Sequence, residues 1–197
     1  MKTLRVLILF GTVLGCSTMF GQSQPFVFTL YGGLFFPSNV NFKSTYQSSS
    51  DLIWGGGVCL PMRPYLFTIV DMASFKTETI IPSTNDSSMN LSEQFLHVGV
   101  LHKRQIAGDL FVRLSAGVSY TSVKQTAASL DAPSQSKSAA KRLGYFGGVG
   151  IEQQLDAQGH VSLFTDVLYD YRRSKQKDPY GDFGGVRAVL GVHLILF

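Results

Sequence analysis

Charge is scarce in this chain of 197 residues: Asp, Glu, Lys and Arg together make up 15%, against about a quarter in an ordinary soluble domain. Hydrophobic residues reach 45%, which excludes a disordered chain. Cysteine is nearly absent, with two in the whole sequence. Once Cys16 leaves with a leader, Cys59 has no intramolecular partner, so a disulfide scaffold is excluded. Cys59 lies in a strand-like run and reads as a small packed side chain. The four histidines, His97, His102, His160 and His193, stand at no metal-ligand spacing. Beyond the leader there is also no uninterrupted apolar run of the roughly 18 residues that a spanning helix needs. A helical membrane protein is therefore excluded.

What is present begins with an export signal. Lys2 and Arg5 precede the short apolar core Val6 to Gly15, and small or polar residues follow. Cleavage after Gly21-Gln22-Ser23 gives residues 1–23 as signal peptide and 24–197 as one domain. A lipoprotein box ending at Cys16 is the alternative. Without Lys2 and Arg5 the mature chain keeps 15 basic residues against 13 acids, a net charge of +2. That is no nucleic-acid footprint.

The remainder divides into eight alternating apolar segments: Pro25 to Pro37, Leu52 to Leu60, Leu66 to Thr77, Gln94 to His102, Asp109 to Ser122, Leu143 to Leu155, His160 to Arg173 and Phe183 to Phe197. Each suits a tilted strand crossing a bilayer. Long connections rich in Ser, Thr, Asn, Gln and Lys alternate with short ones holding Pro, Gly and Asp. The expected fold is all-β, an eight-stranded antiparallel up-and-down transmembrane barrel with both ends on the short-turn side.

The fifth segment shows how such a barrel is oriented. Leu110, Val112, Leu114, Ala116, Val118 and Tyr120 fall on one parity. Phe111, Arg113, Ser115, Gly117, Ser119 and Thr121 fall on the other. A soluble sheet shows long charged side chains to water, whereas this polar face is mostly small. Gly55, Gly57, Gly99, Gly148 and Gly150 recur on the same face of their segments, as crowding inside eight strands requires. The apolar face then meets lipid.

The inward parity also carries Arg113, Glu152, Asp166, Asp170 and Arg187. Buried charges must pair, so Arg113 is expected with Glu152, and Arg187 with Asp166 or Asp170. Aromatic residues gather toward segment ends in two belts: Phe26, Phe28, Tyr65, Phe67 and Phe197 on one side, and Phe35, Phe36, Trp54, Tyr120, Tyr145, Tyr169, Tyr171 and Phe183 on the other.

The secretory start, the eight segments, the long-short rhythm and the final aromatic Phe197 together resemble the small bacterial outer-membrane β-barrels of the OmpA-transmembrane, OmpX and PorT kind. The resemblance implies a bacterial outer-membrane location and contact with the barrel-assembly machinery through a terminal signal, here Gly191, Leu194, Ile195, Leu196 and Phe197. Gly191 stands one place from where the commonest form of that signal has its glycine. The PorT likeness also admits an accessory role in a secretion system.

Chemistry is sparse. His160 and Ser162, two apart with Asp166 on the same parity, resemble the His-x-Ser pair of outer-membrane lipid A deacylases, but lack that family's asparagine after the serine. The glycine-rich stretches near Gly55 and Gly147 have no following helix with Lys-Ser or Lys-Thr and are not phosphate loops. Arg172, Arg173, Lys175 and Lys177 crowd one long connection, where arginine suits lipopolysaccharide phosphates. The expectation is a monomeric structural or surface-interaction barrel that is no enzyme, has no cofactor or metal, and touches outer-membrane lipid and lipopolysaccharide. A lipid A-modifying hydrolase and a secreted lipocalin-like carrier are the alternatives, the carrier requiring an apolar interior and a polar exterior.

Overall fold

The computed structural model describes residues 26–38, 50–81, 87–129, 132–138, 141–172 and 184–196. They form nine strands: β1 (Phe26–Pro37), β2 (Asp51–Arg63), β3 (Leu66–Ile81), β4 (Ser87–Ala107), β5 (Leu110–Ser129), β6 (Ala132–Ser138), β7 (Arg142–Gln154), β8 (Val161–Tyr171) and β9 (Gly185–Leu196). All described pairings are antiparallel. β1 pairs with β2 and with β9, β4 pairs with β5, and β5 pairs with β7, so eight strands close into a barrel with no free edge along the wall. β6 stands outside the ring and pairs with the far end of β5.

The short connections are tight turns at one end. Tyr65 takes a positive φ of 64° in the β2–β3 turn, an uncommon conformation for a residue with a side chain, and Gly108 serves the β4–β5 turn with φ 47°. In the β7–β8 turn the Asp156 carboxylate accepts the backbone N–H groups of Val161 (2.9 Å) and His160 (3.0 Å). Those bonds, Val161's first, hold the Asp156 carboxyl below its usual range. A depressed folded-state value stabilises the turn above the ordinary carboxylate range, and the gain disappears as pH falls through it. Asp156→Ala should therefore lower amide-exchange protection at Val161 at neutral pH and change it little in acid.

At the opposite end the wall is uneven. β3, β4 and β5 run for 16, 21 and 20 residues, whereas crossing a bilayer takes about 9–11. The reading of Glu78 to Glu93 as a connection needs correcting at both ends: the hairpin continues as a paired ladder from Phe75↔Glu93 to Ile81↔Ser87. Polar residues dominate both parities there, so the strand leaves no alternating signal although its backbone bonds continue. The stretch after Ser122 likewise continues β5 and returns as β6.

Orientation follows the parity. Leu114 is 52% and Val118 50% exposed, while Phe111, Arg113, Ser119 and Thr121 are buried. Leu30, Leu52, Trp54, Met72, Leu143, Tyr145 and Leu190 also point outward and are exposed. An apolar exterior around a polar interior is the reverse of a lipocalin-like carrier and corrects that alternative. In a Cys59→Ala background, a cysteine placed at Leu114 should react with a membrane-soluble maleimide and one at Ser115 should not; equal labelling would contradict this orientation.

The aromatic belts are partly as expected. Phe26, Phe28 and Tyr65 are exposed at the turn end, and Phe36, Trp54, Tyr145, Tyr169 and Tyr171 toward the other end. Phe35 and Phe67 turn inward instead. Phe35 is fully buried against Phe75 and Phe95 (ring centroids 5.0 and 5.3 Å), and Phe67 packs near Val27, Cys59 and Leu101. Each shares parity with an inward neighbour, a stronger determinant than nearness to a strand end. Phe183 and Phe197 lie outside the described residues.

Candidate functional site in the barrel interior

The inward side chains form two ionic clusters between two apolar layers. The cluster nearer the turns centres on Arg113 of β5. Its guanidinium donates to Glu152 Oε2 at 2.7 Å and to Asp166 Oδ2 at 3.0 Å, with its carbon 4.1 Å from the centroid of Phe164. Lys103 Nζ and Ser162 Oγ both donate to Glu152 Oε1, at 2.7 and 2.8 Å. His193 closes the group, its Nε2 3.1 Å from Arg113 Nη1 and its Nδ1 3.3 Å from Glu152 Oε2. Phe111↔Glu152 is a cross-strand register pair, which brings Arg113, two residues along β5, over the carboxylate.

The second cluster lies farther from the turns. Arg187 Nε is 3.1 Å from Asp170 Oδ2, and Arg172 Nη2 is 3.3 Å from Asp170 Oδ1. His97 reaches across the lumen, with Nε2 2.8 Å from Asp170 Oδ1 and Nδ1 3.1 Å from Asp71 Oδ2. Tyr31 donates its hydroxyl to the same Asp71 oxygen at 2.8 Å. Phe95 and Phe146 flank the His97 ring, and Arg172 lies 4.7 Å above Phe95, a separation that permits cation–π attraction. Beyond this cluster Phe35, Ile53, Phe75, Leu91 and Val123 form an apolar cap.

The space between the clusters measures about 50 Å³ and is bordered by Asp71, His97, Arg113, Asp166 and Arg187. That admits a few waters at most. The glycines set this tightness. Gly99 and Gly117 face each other directly, and a β-carbon at Gly150 would collide with the Asp166 carboxylate and the Thr165 carbonyl.

All five charges expected inside, Arg113, Glu152, Asp166, Asp170 and Arg187, are buried there. Arg113 meets Glu152, and of its two offered partners Arg187 takes Asp170. Asp166 goes to Arg113. Sequence reasoning missed Lys103, Asp71, His97, His193 and Tyr31 as members. Asp71 alternates with Ile69, Ala73 and Phe75, so both faces of β3 look apolar, and Lys103 sits in what reads as a turn because β4 runs on to Ala107.

The other candidate residues are placed differently. Arg172 is almost fully buried in the lumen, continuing the inward parity of Asp166 and Asp170, and so leaves the outer edge assigned to it. Arg173, Lys175 and Lys177 lie outside the described residues. Ser162 spends its hydroxyl on Glu152, while His160 sits on the β7–β8 turn with Nδ1 3.3 Å from Asp156. Asp166 faces Arg113. The three are thus directed to three different partners, and no nucleophile–base pair joins them. Gly191 lies opposite Phe164 on β8, and a side chain there would strike that ring. Leu194 is exposed on the outer face. Phe197 lies outside the described residues, as does the side chain of Leu196. Among the described residues no group of three or more His, Cys, Asp or Glu is placed to hold a metal ion.

No protein-family model matches the chain, and no curated protein matches it. Solved structures do. Neisserial surface protein A aligns with a TM-score of 0.59 at 11% identity, over 86% of this chain and 96% of that one. A major outer membrane protein from Thermus thermophilus aligns at 0.57 and 11%, over 89% and 100%. The outer membrane protein OprG from Pseudomonas aeruginosa aligns at 0.52 and 13%, over 88% and 94%. At such identities the likeness is one of fold, and the fold is that of a small outer-membrane β-barrel.

Proposed function

We propose that this small outer-membrane β-barrel is an integral membrane protein with a closed interior, acting as a structural or surface-interaction element rather than as a diffusion pore or an enzyme. One observation carries the reading: the outward face is predominantly apolar, while the lumen is occupied by interlocked ion pairs that leave about 50 Å³ between them. Eight strands leave an interior that side chains fill, and here they do so with salt bridges between neighbouring strands and across the axis.

In this reading the short turns face the periplasm and the tall β3–β6 wall stands on the cell surface. About ten residues of β4 in excess of a membrane crossing, at about 3.4 Å each before tilt, raise that wall some tens of ångströms. Its Ser, Thr, Asn, Gln and Lys content offers hydrogen bonds to a partner or to lipopolysaccharide sugars. Arg173, Lys175 and Lys177 belong to this proposal through their charge alone. Replacing the three with glutamine should weaken lipopolysaccharide association.

The test of the main reading is direct. The protein should fractionate with outer membranes, migrate faster in a detergent gel before boiling than after, and leave planar bilayers without steady solute-sized conductance. A large, stable open channel would overturn the closed-interior reading, and partition into the soluble fraction would overturn the membrane reading.

A further inference from the structure

The lipid-facing wall has one ionic notch in its turn-side half. Around the ring the described outward residues there are apolar or small, with Thr68, Thr165 and Gln153 as the uncharged polar ones. On β4 the same parity carries Val98, Val100, His102, Arg104 and Ile106, and both His102 and Arg104 are exposed. Their register partners on β5 are Leu114 and Val112. Together with Gln105 these residues line an open concavity of about 550 Å³ on the outside of the barrel. The ladder shifts register between Gln105 and Ala107, and the Gln105 side-chain amide donates to the Gly108 carbonyl, fixing the bulge. Lys103, between His102 and Arg104 in sequence, faces inward and is consumed by Glu152. Asp109 sits beyond them at the turn tip.

Charge on a lipid-facing surface is costly unless it meets water or a counter-ion. Arginine's planar fork matches phosphate with two parallel hydrogen bonds, and histidine adds a second donor group on the same strand face. Val112 and Leu114 flank Arg104 and His102 at the same level, and the outward residues Val100 and Val98 of β4 with Ala116 and Val118 of β5 continue from there toward mid-membrane, where an acyl chain would lie. We infer that this notch is a headgroup site for one glycerophospholipid in the leaflet at the short-turn end, with Arg104 and His102 on its phosphate, Val112 and Leu114 beside them, and its acyl chain along Val100, Val98 and Val118. The inference rests on the membrane-barrel reading above.

The experiment uses the folded full-length protein in a nonionic detergent, with native mass spectrometry after addition of dioleoylphosphatidylglycerol, dioleoylglycerol or inorganic phosphate. Wild type should retain one phosphatidylglycerol and no dioleoylglycerol. Arg104→Gln with His102→Gln should reduce retention about tenfold, the loss expected for a charge-assisted hydrogen bond. Lys124→Gln, on the same parity at the far end of β5, should change nothing, and Arg104→Lys should fall between. Heat-modifiable mobility verifies that each variant is folded. Equal retention by the double variant, equal retention of dioleoylglycerol, or displacement of the lipid by inorganic phosphate would each overturn the site. A protein that is not heat-modifiable and leaves the membrane fraction fails the barrel reading, whereas a folded barrel without lipid selectivity fails this inference alone.

Discussion

Arg113→Met barrels are expected to unfold in urea with a loss of about 3–5 kcal/mol, the range for removing one partner from a buried ion pair. The guanidinium serves two acids, and they are affected unequally. Glu152 keeps Lys103, Ser162 and His193 as neighbours. Asp166 has Arg113 as its only salt-bridge partner among the described residues, so the substitution leaves a carboxylate in the lumen without its cation. The double variant Arg113→Met, Asp166→Asn should recover a good part of the loss, because removing both partners costs less than stranding one. Gel mobility without boiling, followed across a urea series in lipid vesicles, measures both. If the single variant were as stable as wild type, the cluster would be ornamental and the interior would owe its closure to packing alone.

The architecture was legible because a barrel wall faces two solvents of opposite character, and alternation records which residue meets which. β1, β7 and β9 begin and end within about two residues of their apolar segments for that reason. Alternation fails where both sides are wet, and β4 shows it: Ser87 to Gln94, polar except for Met89 and Leu91, extend the strand well before the regular apolar alternation that begins at Phe95, and the basic Lys103 and Arg104 carry it on toward the turn. Ion pairs between adjacent strands were legible by counting from the turns, as with Arg113 and Glu152. Contacts across the axis were not. His97 on β4 meets Asp170 on β8, 73 residues away, and such a contact depends on the tilt and stagger of the closed ring, which strand counting does not supply. Arg172 was misplaced for a plainer reason: proximity to a run of basic residues outweighed its parity with Asp170.

Gly117→Val should be among the more damaging of the glycine substitutions, and Gly147→Ala among the least. Both residues sit in strands, where glycine is ordinarily a weakness, yet they face opposite ways. A β-carbon at Gly117 would stand 2.5 Å from the Gly99 α-carbon and 2.7 Å from Cε1 of Phe146. Backbone on one side cannot yield cheaply. Moving Phe146 on the other disturbs the ring that packs at 4.8 Å against His97, and with it the bridge from Asp71 to Asp170. Overpacking of this kind costs about 1–3 kcal/mol by itself, and the disturbed bridge adds to it. At Gly147, on the lipid face, the nearest atom to an added β-carbon is the Ser115 carbonyl oxygen at 3.9 Å, an ordinary contact. Alanine there should be neutral, or stabilising by about 0.5–1 kcal/mol through the reduced freedom of the unfolded chain. Urea titration of the two variants in parallel measures the contrast. If both proved equally harmful, or equally harmless, crowding around the axis could not be what reserves the inward positions for glycine.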